Sequence, residues 1–149
     1  NLPFLSDLML ENIETIRLLI ISSLPSLKEI DGFENLINLV NLQINGSKDS
    51  PSILKNINVE KMSKLNEIAI RYNSGIEKIN GIDRISNIAK LFLYKVTYLK
   101  KFSVSNLKKL SEITVSDCKY ITNKSDIEGI TTLEDEGNGR KISINEDDE

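Results

Sequence analysis

Histidine is absent from the 149 residues. Its absence removes the commonest general base, the commonest metal ligand and the Ser-His and Cys-His nucleophilic pairs. Tryptophan is also absent and aromatics make up only 5 % of the chain, so branched aliphatics, chiefly Ile and Leu, have to fill the interior. That favours a layered, repetitive core. Cys118 is the one cysteine, which excludes an intrachain disulfide and leaves the redox compartment open. No apolar run approaches the roughly 20 residues needed to cross a bilayer as a helix, and no charged, apolar and small-residue series marks a signal peptide. Membrane insertion of this segment is therefore not expected. The lysines are spread along the sequence rather than concentrated, which makes nucleic acid a poor expectation for a partner. Repeated acidic loops of the calcium-binding kind are missing, the turns carrying Ser, Asn and Lys instead. No metal and no cofactor is expected.

What is present is enough hydrophobic content, 40 %, for one domain of this length to bury a continuous core. Residues 1–149 read as a single domain, with regular repeats over 1–120 and a C-terminal cap and acidic tail over 121–149. The net charge of −3 conceals a tail, Glu146 to Glu149, that is more negative than the whole chain and reads as a solvated end. Beginning at Asn1, already inside a repeat, the chain reads as an excerpt or processed product of a larger protein.

The repeat is a spacing of apolar, two others, apolar, one other, apolar. It appears at Leu5, Leu8, Leu10, and again at Ile16, Leu19, Ile21 and at Leu39, Leu42, Ile44. Leu65, Ile68, Ile70, then Ile88, Leu91, Leu93, then Leu110, Ile113, Val115 continue it. Between these lie half-turns starting at Leu27, Leu54, Ile76 and Leu99. Successive starts fall about 11 or 12 residues apart, so two steps make a period of about 23. The one long step, Leu39 to Leu54, contains the turn-forming stretch Gly46 to Pro51. Gly32 and Gly81 take the third apolar place in corresponding half-turns.

The last two apolar residues of each unit alternate with polar ones, as in a strand, while the three-residue spacing before them suits a tight turn. A single coil cannot bury its apolar side alone, so coils must stack, pairing each strand with its counterpart in a parallel sheet. The expected class is α/β or mainly β: a right-handed solenoid of about six coils with short 3-10 or irregular return segments.

"LNEIAIRYNSGI" from Leu65 and "LSEITVSDCKYIT" from Leu110 resemble the leucine-rich-repeat signature, in which Asn or Cys follows the last strand aliphatic by three places. Asn73 and Cys118 stand there, whereas Leu24, Ser47 and Val96 depart from it. The Gly-containing half-turns of "LKEIDGFENLINLVNLQI" are also similar to the receptor L-domain, without its disulfide caps. The resemblance implies a solenoid whose exposed sheet face binds a partner, and a structural, buried Cys118.

Beyond Ile121 the pattern fades, because Lys124 and Glu136 fall where aliphatics are due. "GNGR" from Gly137 to Arg140 reads as a tight turn between "TLEDE" and "KISIN", forming a closing strand or hairpin over the end of the stack. Asp31, Asp83, Asp117 and Asp126 lie near turns, but in different parts of the coil. Acid–base cleavage of a glycan therefore ranks behind binding. Asn45-Gly-Ser47 and Asn123-Lys-Ser125 match the glycosylation pattern at chance frequency.

Strand alternation assigns an outward face of Leu18, Ile20, Ser22; Asn41, Gln43, Asn45; Glu67, Ala69, Arg71; Lys90, Phe92, Tyr94; and Glu112, Thr114, Ser116. Phe92 and Tyr94, with Arg71 and Lys90 beside them, are the expected partner-binding centre, and Glu67 and Glu112 flank it. The same aromatics also fit beneath a flanking segment. Leu18 and Ile20 are expected to lie under an N-terminal element or preceding repeats. The leading reading is a non-catalytic recognition or adhesion module for a protein partner, extracellular or at the cell surface. An intracellular scaffold or regulatory subunit, in the cytoplasm, and a carbohydrate-active parallel β-helix enzyme are the alternatives. A carbohydrate ligand is compatible with the first reading as well.

Overall fold

The computed structural model describes residues 2–135 and 139–145. It is a mainly β solenoid. Six front strands, β2 (Leu18–Ser22), β4 (Asn41–Asn45), β6 (Glu67–Asn73), β8 (Lys90–Val96), β10 (Glu112–Ser116) and β12 (Lys141–Ile144), form one parallel sheet in the order β12-β10-β8-β6-β4-β2. Five returns of the chain join them. The returns carry short back strands, β3 (Glu29–Asp31), β5 (Ile57–Asn58), β7 (Ile79–Asn80), β9 (Phe102–Ser103) and β11 (Ile127–Glu128), and a sixth, β1 (Asp7–Met9), precedes the first front strand.

The inward columns follow the sequence spacing. Ile68, Ile70, Leu91, Leu93, Ile113 and Val115 are at most 1 % exposed, and each faces its counterpart across the ladder, as Ile68 does Leu91 and Leu91 does Ile113. Residues at period-2 positions on a strand share a face, so two aliphatics per strand supply the core, while the preceding Leu39, Leu65, Ile88 and Leu110 close it at the turn.

The back of the coil follows a longer rhythm than the front. Back strands pair only two by two, β1 with β3, β5 with β7 and β9 with β11. In each pair the third residue of the first coil, Leu10, Val59 or Val104, donates its N–H to the carbonyl of Asp31, Asn80 or Glu128, at 2.7, 2.9 and 2.8 Å. The next residue of the second coil is Gly32, Gly81 or Gly129. Gly81 has φ 79°, and a Cβ there would come 2.6 Å from Glu60 Cα, so only glycine lets the two coils approach this closely. Gly32 and Gly81 thus mark every second coil, a period about twice the 23 residues of the front.

Of the closing strand or hairpin expected at the C-terminal end, the structure forms the strand. Asn123 and Asp126 form a capping box around a 3-10 turn, which inserts three residues and delays the next buried aliphatic to Ile127. Thr132 to Asp135, the described part of "TLEDE", are helical, within α1 (Ile130–Asp135), because Ile130 and Leu133, spaced i and i+3, are both buried. A strand would have turned one of two such residues outward. "KISI" does form the closing strand, but parallel to β10 rather than as a hairpin arm. Arg140 ties this cap to the stack, donating from Nε to the Leu110 carbonyl at 2.7 Å and from its guanidinium to the carbonyls of Leu133 and Lys108 at 2.7 and 3.1 Å. The proposed "GNGR" turn and the acidic tail include residues 137, 138 and 146–149, outside the described residues.

At the other end Leu18 and Ile20, expected under a covering element, are 54 % and 50 % exposed. Among the described residues no helix is long and apolar enough to cross a membrane.

Candidate interaction surface on the front sheet

Strand register arranges the outward residues in three rows. The first runs Leu18, Asn41, Glu67, Lys90, Glu112, Lys141, so charges alternate in sign across four adjacent strands. Glu112 sits between two cations, 3.9 Å from Lys90 and 3.4 Å from Lys141. The second row is uncharged: Ile20, Gln43, Ala69, Phe92, Thr114, Ser143. The third runs Ser22, Asn45, Arg71, Tyr94, Ser116.

All six residues expected at the centre and edges of the site, Phe92, Tyr94, Arg71, Lys90, Glu67 and Glu112, lie on this face on adjacent strands. Phe92 and Tyr94 are half-buried, Arg71 and Lys90 exposed, Glu67 and Glu112 half-buried. Ala69, assigned to the face by alternation, is only 1 % exposed. It sits in the ladder directly beside Phe92, whose larger side chain shares its row. β8 therefore forms a ridge, and beside it the small side chains of Thr114, Ser116 and Ser143 leave a groove of about 420 Å³. Arg71, Asp117 and Lys141 also line it. Arg71 is held by an N–H donated to Asn45 Oδ1 at 3.3 Å.

Strict alternation overlooks the residues just past the third row. Ser23, Tyr72, Lys95, Asp117 and Asn145 all adopt left-handed backbone, with φ between 48° and 57°, at the corner where their strands end. A left-handed residue breaks the period-2 alternation, so side chains that alternation would point inward extend the outer face. Tyr72 meets Tyr94 edge to face at 5.2 Å, and Lys95 lies 5.1 Å from the Tyr94 ring centre and 5.5 Å from that of Tyr72. Lys95 also pairs with Asp117 at 3.9 Å. Hydrogen bonding with Tyr94 is the largest cause raising both the Tyr72 phenol and the Lys95 ammonium above their ordinary values. Bulky residues with positive φ are uncommon, and such strain clusters where function needs it.

Behind the corner the ladder positions are structural. Asn73, fully buried, donates from Nδ2 to Ser52 Oγ and the Leu54 carbonyl, both at 3.2 Å, and accepts from the N–H groups of Gly75 and Ile76 at 3.0 and 2.7 Å. Cys118 is 3 % exposed and burial pushes its thiol pKa up, away from the reactive thiolate.

The four candidate aspartates do not converge. Asp31 ends β3 and Asp117 sits at the front corner, while Asp83 and Asp126 border a back-face cleft of about 490 Å³ together with Glu128. Both Asp126 oxygens are committed. Oδ1 meets Lys101 at 2.7 Å, and Oδ2 accepts from the Thr122 N–H, the Thr122 hydroxyl and the Asn123 N–H. Lys101 foremost, and then these donors, hold its carboxyl well below the usual range, so it cannot serve as a proton donor near neutral pH. Among the described residues no group of three or more Cys, Asp and Glu is arranged to hold a metal ion. No protein-family model, curated protein or solved structure matches the chain.

Proposed function

We propose that this chain is a non-catalytic recognition module of the leucine-rich-repeat kind that holds a protein partner across its front sheet. The observation that carries this reading is the β8 ridge. Phe92 and Tyr94 stand half-exposed above a groove of about 420 Å³, with Arg71 and Lys141 at its border and paired charges along one side. Aromatic rings bury large areas with few rotatable bonds, and a guanidinium adds directional hydrogen bonds, the combination that dominates protein interfaces. The alternating row from Glu67 to Lys141 favours a partner with complementary charge spacing and sets register and approach rate more than affinity. An adhesion or receptor segment at the cell surface is the setting this reading favours.

Site-specific photocrosslinking tests it. A benzophenone side chain placed at Phe92 should trap the partner in cells, and the same group at Asn106, exposed on the segment between β9 and β10 and outside the front sheet, should not. Equal trapping from both positions, or trapping from Asn106 alone, would remove the front sheet from consideration.

A further inference from the structure

Two of the four tyrosines, Tyr98 and Tyr120, lie beyond the ends of front strands, on the segments leading from them to the back strands. Tyr98 and Tyr120 occupy the same place in consecutive coils, immediately before the buried Leu99 and Ile121, and are 44 % and 42 % exposed. Lysines dispersed in sequence gather on this flank because their spacing matches the coil. Lys55 and Lys100 directly follow the buried Leu54 and Leu99, and Lys78 lies two residues past Ile76. Lys119 lies 5.2 Å from the Tyr120 ring centre. Lys55, Lys78, Lys100 and Tyr98 surround a cleft of about 560 Å³, in the size range of small-ligand sites, whose remaining lining includes Asn56, Ser74 and Glu77.

From this arrangement we infer that the flank is a binding site for an acidic polysaccharide, separate from the front-sheet surface. Lysine ammonium groups meet carboxylate or sulfate groups. The electron-rich face of Tyr98 packs on the C–H face of a sugar ring, and Asn56, Ser74 and Glu77 exchange hydrogen bonds with hydroxyls. A carboxylate distinguishes this ligand from nucleic acid. Glu77 lies 2.7 Å from Lys100 inside the cleft. A strand with a phosphate at every nucleotide would be forced against this acid. A saccharide carries hydroxyls between its charges and can donate to it.

Isothermal titration calorimetry with hyaluronan and unsulfated chondroitin oligosaccharides tests the assignment, with neutral dextran and oligothymidylate as comparisons. The acidic saccharides should bind at one saturable site and the other two should not. Tyr98→Ala should weaken binding about tenfold, and Lys55→Gln with Lys78→Gln should weaken it and flatten its salt dependence. Phe92→Ala should leave it unchanged, which separates this site from the front sheet. The inference is overturned if neither acidic saccharide binds, if oligothymidylate binds as tightly, or if Tyr98→Ala in the folded protein binds like the wild type.

Discussion

Tyr72 and Tyr94, on adjacent strands, meet edge to face with ring centres 5.2 Å apart, and Tyr72 does so from a left-handed backbone with φ 50°. The pair joins the front face to the corner beyond it. Its coupling can be read out by titration, since hydrogen bonding with Tyr94 is the largest cause raising the Tyr72 pKa. Tyr94→Phe should move the Tyr72 transition, followed by ultraviolet absorbance against a Tyr72→Phe control, back toward 10.0. An unchanged titration curve would mean that the two hydroxyls do not interact in solution.

Asn73 should matter for stability out of proportion to its size. Asn73→Ala leaves the Gly75 and Ile76 N–H groups and the Leu54 carbonyl without their partner in a buried turn. The expected loss is roughly 2–4 kcal/mol in chemical denaturation, set by the desolvation of groups left unpaired. A loss below about 0.5 kcal/mol, typical of surface substitutions, would show that water replaces the side chain.

The stack itself is tested at Leu91, fully buried between Ile68 and Ile113 in the front ladder. Leu91→Ala should cost on the order of 2–5 kcal/mol. Because each coil leans on its neighbours, hydrogen exchange should rise in β6 and β10 as well as β8. Exchange confined to β8 would contradict a cooperative stack.

Acid should loosen the C-terminal cap. Asp126 has its carboxyl pKa depressed, chiefly by Lys101, from an ordinary value of 3.8. A depressed folded-state pKa contributes stability that is complete above the unfolded value and is lost as pH falls through the folded one. The melting temperature should therefore drop as pH falls below about 3.8, and Asp126→Asn should lower it near neutral pH while reducing that part of the acid dependence. An acid profile identical in the variant would rule out Asp126 as a contributor.

The front sheet was legible in sequence because period-2 alternation fixes register once one face is buried, and Leu91, Ile113 and their columns fall where the spacing places them. The candidate site was legible to the same extent: Phe92, Tyr94, Arg71 and Lys90 share the face because they occupy alternate positions on adjacent strands. The corner was not, because nothing in alternation marks Tyr72, Lys95 or Asp117 as left-handed. The tyrosine and lysine flank was hidden by its sequence separation, Lys55, Lys78 and Lys100 becoming neighbours only once the coils stack. The cap was misread where the Asn123 to Asp126 turn shifts the register and the i, i+3 pair Ile130 and Leu133 belongs to a helix.

The proposal that the front sheet holds a protein partner turns on the β8 ridge, and the most direct measurement is the affinity of the crosslinked and identified partner for Phe92→Ala and Tyr94→Ala. Each folded variant should bind on the order of 30-fold more weakly, the equivalent of about 2 kcal/mol for an interface anchor. Wild-type affinity in both would contradict the account.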